Sequence, residues 1–292
     1  MTTRREFVTS LGAAAIGAGT QGYRSPLPAP EPGGGIGTLG AAEARIRPLG
    51  VQLYTVRDLM RRDVEGTLAR VGEIGYREVE WWGSFDRTPA QLSSALRAAG
   101  LTSPSAHVGL ETLEGDAGSR TIATAQEIGH HYLVVASMPV EWRRTLDDWR
   151  RVAERMNRVG ERLRAAGMQY AYHNHDFEFR PLEGRIPFDV LCESTDPGLV
   201  QIEVDLFWII HGGGDPLAFF SRWPGRVPMV HVKDRTADGR MVDVGAGVID
   251  WRAIFARRAQ AGIRHYFVEH DEPPDPMASI AASYRYLSRL SV

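Results

Sequence analysis

Acidic and imidazole side chains recur in this sequence at one kind of place, the last residue or two of short β-rich runs: Glu80, His107, His173 with His175, Asp205, His231 with Lys233, and Glu269. Each has apolar neighbours, among them Val79, Ala106, Val204, Val230 and Val268, so each would be held against a core rather than in open water. A carboxylate or imidazole costs several kcal/mol to bury unless it is paired or bound to a cation. A single case reads as a salt bridge or a solvated tip; a set of them at six run ends points to a shared divalent ion. Mixed His, Asp and Glu donors suit Mn²⁺, Co²⁺, Zn²⁺, Fe²⁺ or Mg²⁺ without choosing among them. With such an ion, carbonyl and hydroxyl oxygens of a substrate are polarised, an enediolate is stabilised, and a nearby carboxylate can remove a carbon-bound proton.

The elements that must hold these residues alternate regularly. Strands are expected at Gly50–Tyr54, Glu78–Trp81, Ser103–His107, Tyr132–Ala136, Gln169–His173, Val200–Asp205, Val227–Val232 and Tyr266–Glu269, with amphipathic helices between them. Val64, Leu68, Val71 and Ile74 line one helical face, and Leu146, Trp149, Val152, Met156, Val159 and Leu163 line a longer one. Gly75, Gly100, Gly129, Gly167 and Gly262 stand where helices should stop. Eight strand–helix units in about 245 residues predict an α/β fold of one closed (β/α)8 barrel, whose active site lies at the C-terminal ends of the strands. An open doubly wound sheet would place a glycine-rich phosphate loop after the first strand, but Gln52 to Arg57 contains no glycine. The cluster Gly212 to Gly214, ahead of Asp215-Pro216, reads as a turn before a helix cap.

The segments Gly50 to Thr55, Tyr172 to Asp176, Glu203 to Trp208, His231 to Asp234 and Phe267 to Glu269 resemble the sugar phosphate isomerase/epimerase family, whose members are xylose isomerase-like TIM barrels. The resemblance covers nearly all of residues 49 to 290. It implies metal ligands on strands five to eight, carried here onto His173, Asp205, His231 and Glu269. The family's usual glutamate on strand five is replaced by His173, with His175 and Glu178 as other suppliers of that ligand. Epimerases of the family resemble two-base machines, so the replacement leaves Glu269 as the one obvious carboxylate base. One base suffices for isomerisation on a single face, and equally for elimination or hydration. The expected activity is therefore proton abstraction beside the carbonyl of an unphosphorylated sugar or keto sugar, as an isomerase or epimerase. The alternatives are a lyase or hydratase acting on 3-keto-glycosides or cyclic ketones, and a sugar-binding barrel without catalysis.

Supporting roles fall to other strand-end residues. Lys233 can hold a substrate oxygen or an oxyanion, against a surface ion pair with Asp234 or Asp243. His107 can donate a proton, against a structural histidine. Gln52, Glu80, His175 and Trp208 are candidate substrate contacts, Trp208 by stacking on a ring face, against core or rim packing.

The start of the chain carries a different signal. Arg4 and Arg5, followed by Phe7 and a weakly apolar run from Leu11 to Ala18, resemble a twin-arginine export signal, which implies a periplasmic or exported protein. Residues 1–47 then read as signal peptide and proline- and glycine-rich linker, and 48–292 as the catalytic barrel. The 34 Lys and Arg against 36 Asp and Glu lack the basic excess of a nucleic-acid binder, which argues against an endonuclease built on a related barrel. The expected partner is a small sugar, with no nucleic acid and no stable membrane insertion; a homo-oligomer is allowed. Cys192, the one cysteine, lies in an apolar run and reads as core.

Overall fold

The computed structural model describes residues 45–83 and 85–292; the expected export signal and most of the linker lie outside the described residues. Eight parallel strands close into a barrel: β1 (Leu49–Gln52), β2 (Glu78–Trp82), β3 (Thr102–His107), β4 (Tyr132–Val135), β5 (Gln169–His173), β6 (Val200–Asp205), β7 (Met229–Val232) and β8 (His265–Val268). Each strand pairs with its sequence neighbours, and β8 closes on β1. Helices cross over between the strands, so the fold is the expected (β/α)8 barrel.

Several expected strand boundaries shift by one residue, and two shift by two residues for local reasons. β1 ends at Gln52 rather than Tyr54 because the Gln52 side chain accepts from Tyr54 N at 3.1 Å and turns Leu53–Val56 into a short 3-10 helix. β7 begins at Met229 rather than Val227, since Pro228 has no N–H to give a ladder.

The helices follow their apolar stripes. In Leu146–Ala165 all six residues of the expected face are buried, and a capping box between Thr145 and Asp148 starts the helix. The five glycine stops all adopt positive φ. At Gly75, with φ +122°, a side chain would also collide with the Tyr284 ring, so only glycine fits. Cys192 is buried and free, as expected of a core residue. Asp215 caps the helix Pro216–Arg222 through Leu217 N at 2.8 Å, and the glycines before it border a small separate cavity. Among the described residues no helix is long and apolar enough to cross a membrane.

The barrel interior sets the depth of everything polar. Tyr132, Val134, Ala171, Met229 and Phe267 form an apolar cluster of their own, separate from the larger core between strands and helices. Side chains on a strand repeat their direction every two residues. Two residues further along their strands, Ala171 leads to His173 and Met229 to His231, one layer higher on the inward face, and Glu269 follows the end of β8 two residues past Phe267.

Candidate active site

Period two on neighbouring strands stacks a polar layer on that apolar plug. Register does the alignment: Gln52 sits opposite Glu80, His173 opposite Glu203, and Asp205 opposite His231. The donor atoms of Asp205, His231 and Glu269 all lie within 4.8 Å of one another, and so do those of His107, His173, Glu203 and His231. His231 belongs to both groups and faces each with a different nitrogen. Its Nδ1 is 2.8 Å from Glu269 Oε2, while its Nε2 is 2.5 Å from Glu80 Oε2 and 3.3 Å from Glu203 Oε2.

Glu203 was not among the expected site residues, although it stands two residues before Asp205 on the same face of β6. It is fully buried, and its Oε2 lies 2.9 Å from His107 Nε2 and 3.1 Å from His173 Nδ1. Burial and the neighbouring Glu80 push its carboxyl up to about 7. Glu80 moves the other way: burial opposes the shift, but His107 and His231 hold it well below the usual carboxylate range. The same two acids, working against burial, raise His107 to about 9, and with Glu269 they raise His231 well above the usual imidazole value. His173 is lowered well below it, by burial first and then by the neighbouring imidazoles and Lys233.

Lys233 closes the upper side of this layer. Its Nζ lies 3.0 Å from Asp205 Oδ2, 2.7 Å from Glu269 Oε2 and 2.9 Å from Asp271 Oδ1. Burial opposes its charged form, yet Asp205, Glu269 and Asp271 hold it well above the ordinary lysine value. Against burial, Lys233 and His231 hold Glu269 well below the usual carboxylate range, so Glu269 is ionised. The alternative to a substrate role for Lys233, a surface ion pair with Asp234 or Asp243, does not form. Asp234 is instead taken up by Gly245 N at 2.9 Å and Trp251 Nε1 at 3.0 Å, which tie down the segment after β7.

Above the layer opens a cavity of about 670 Å³. His107, His173, His175, Trp208, Lys233 and Glu269 line it, with Tyr54 and Trp82 on the opposite wall and Asp271 at the side. Gln52 and Glu80, expected as substrate contacts, lie beneath it rather than on its lining. They bond each other at 2.7 Å, and Ser105 Oγ donates to Glu80 at 2.7 Å. Glu178 is also turned away: Tyr172 Oη donates to its Oε1 at 2.7 Å and His175 N to its Oε2 at 2.9 Å. Burial pushes the Glu178 carboxyl up to about 8. Of the three residues that could supply a donor from the fifth strand, His173 is the one placed in a donor group, but that group is the one with His107, Glu203 and His231, so the expected set of His173, Asp205, His231 and Glu269 is divided between two groups that share His231.

The donor groups fit a divalent ion. Asp205 Oδ2 is buried with no directed hydrogen bond, although the Lys233 ammonium is near, and Glu203 Oε1 is buried with no partner. Such oxygens keep lone pairs for a cation. The orienting contacts are also present, since a ligating histidine ordinarily has its second nitrogen held by a carboxylate.

Comparison with known proteins agrees with this geometry. Residues 68–290 match the family model described as xylose isomerase-like TIM barrel. The inosose dehydratase of Geobacillus kaustophilus (strain HTA426) is 25% identical over 258 residues, covering 75% of this chain and 82% of that protein. The inosose dehydratase of Lacticaseibacillus casei is 30% identical over 127 residues, covering 37% of this chain and 42% of that one. Among solved structures, a sugar phosphate isomerase/epimerase from Parabacteroides distasonis ATCC 8503 superposes with a TM-score of 0.74 at 25% identity, covering 83% of this chain and 98% of that chain.

Proposed function

Because the chain belongs to the xylose isomerase-like TIM barrel family, we propose that it is an enzyme that removes a proton beside the carbonyl of an unphosphorylated sugar or keto sugar. The observation that carries this reading is Glu269, an ionised carboxylate on the cavity wall whose contacts with His231 and Lys233 all use Oε2. Oε1 is the oxygen available to a substrate proton. Asp205, His231 and Glu269 would hold a divalent ion, with His173 adjoining through the group that shares His231. When bound, such an ion polarises substrate carbonyl and hydroxyl oxygens and stabilises charge developing on them.

The chain's own residues divide the remaining work. Tyr54, Trp82 and Trp208 offer aromatic faces to the C–H faces of a sugar ring. His107, raised to about 9 and on the cavity wall, would give a proton to a departing or newly formed oxygen. Among the described residues Lys233 is the only Lys or Arg on the lining, which suits a neutral sugar better than a phosphorylated one. The twin-arginine-like start would take the enzyme out of the cytoplasm, where free sugars and glycosides are its natural ligands.

Loss of water, or of a glycosidic group, is the second reading. It is favoured by the imidazoles of His173 and His175 where a second carboxylate base would stand, and by curated relatives named as dehydratases. One experiment tests both readings: incubation of the metal-supplemented enzyme in D₂O with a panel of sugars, keto sugars and 3-keto-glycosides, followed by NMR and mass spectrometry. Deuterium is expected at the carbon beside the carbonyl. An isomer retains the substrate's mass apart from the label, whereas elimination lowers it. Glu269→Gln should abolish exchange; exchange that survives this change removes Glu269 as the base.

A further inference from the structure

Lys233 is the only lysine in the chain, every other member of its 34 lysine and arginine residues being arginine. The fold places this one amine at the end of β7, two residues past His231 and nearly buried. Its ammonium touches three carboxylates of two kinds. Asp205 and Glu269, at 3.0 and 2.7 Å, belong to the donor group with His231. Asp271, at 2.9 Å, lies outside that group on the cavity wall and is partly exposed.

An ammonium this close to Asp205 Oδ2 and Glu269 Oε2 repels a second cation that takes the same oxygens. Asp205 and Glu269 attract both. The buried donor group thus carries its own counter-charge, and a divalent ion must compete with it. Lysine suits such an exchange: its compact charge rides on a flexible four-carbon stem, whereas a guanidinium would fork rigidly between two carboxylates. Asp271 already accepts from the same ammonium at 2.9 Å, and would keep it when an ion takes the other two carboxylates.

We propose that Lys233 is the resident counter-cation of Asp205 and Glu269, that it competes with a divalent ion for them, and that ion loading shifts its ammonium onto Asp271 at the cavity wall, within reach of a substrate oxygen. The inference rests on the metal reading above. It makes Lys233 a positioning residue that sets how tightly the site takes its ion, and it couples ion loading to presentation of the amine.

Two measurements on the full chain test it. Mn²⁺ titration of stripped protein, reading free Mn²⁺ by electron paramagnetic resonance, compares wild type with Lys233→Met and Lys233→Arg. Lys233→Met should bind Mn²⁺ at least tenfold more tightly than wild type, and Lys233→Arg should not. The second measurement needs no variant: acetylation of wild type with an N-hydroxysuccinimide ester, read by the mass of the single lysine-containing peptide. Labelling should be slow in stripped protein and several-fold faster after Mn²⁺ is added. The proposal is overturned if Lys233→Met binds no more tightly than wild type, or if Mn²⁺ leaves the labelling rate unchanged or lowers it. Equal, tight binding by wild type and Lys233→Met removes this inference and leaves the metal reading standing; no binding by any of the three proteins removes both.

Discussion

Replacing Glu178 by Gln should change the pH dependence of stability in a defined direction. Glu178 is fully buried behind β5 and carries a carboxyl raised from 4.5 to about 8, with burial as the main cause. Below pH 4.5 both folded and unfolded chains hold the proton, and the residue adds no slope. Between about 4.5 and 8 the unfolded chain releases it while the folded chain keeps it, so folded stability falls as pH rises. One proton of difference gives a limiting slope of about 1.4 kcal/mol per pH unit. From pH 5 to 7 the wild type should therefore lose up to about 3 kcal/mol relative to Glu178→Gln, on the order of 5–10 °C in Tm for a domain of this size. Gln mimics the neutral acid: its carbonyl can accept from His175 N and its amide can donate to Tyr172 Oη. Urea unfolding followed by circular dichroism at pH 5, 6, 7 and 8 reads the difference directly, because ionisations elsewhere are common to both proteins. The two curves should meet near pH 5 and separate as pH rises. Parallel curves would refute the argument that burial keeps this carboxyl protonated.

Three further outcomes follow from the site. Asp205→Ala and His231→Ala should each abolish ion binding and activity, checked by elemental analysis of purified protein alongside turnover. Glu80→Gln, which weakens the carboxylate grip on His231 Nε2, should lower divalent-ion affinity about 10–100-fold while the protein stays folded; unchanged affinity would make Glu80 a purely structural residue. Trp208→Ala should raise KM roughly tenfold with little change in kcat, a loss of about 1.4 kcal/mol of ring contact that acts on bound and reacting sugar alike.

Much of this architecture could be read from alternation alone. The apolar periods of the helices and the strand-end acids and imidazoles lie close to where the structure has them, because a parallel barrel buries both faces of its strands and makes any charge there conspicuous. Depth was harder to read. Glu80 ends its expected strand just as His107 does, yet pairing sets Glu80 against Gln52 and Ser105, one layer lower, and sets His107 against Trp82. Barrel strands are staggered by shear, so equal distance from a strand end does not mean equal height. Glu203 was hidden for another reason: it sits in mid-strand between Ile202 and Val204, not at the strand end, and only counting back two residues from Asp205 brings it onto the inward face. The solitary lysine needed no structure to be noticed; a count of residue types would have found it.

The plug of Tyr132, Val134, Ala171, Met229 and Phe267 makes the cylinder a blind well. Among the described residues no second door opens at the far end, so a sugar entering, its product leaving and any water set free must all queue at the same opening. Traffic of that kind makes the departing molecule a rival of the arriving one, and accumulated product should compete with fresh substrate rather than slow the enzyme from elsewhere.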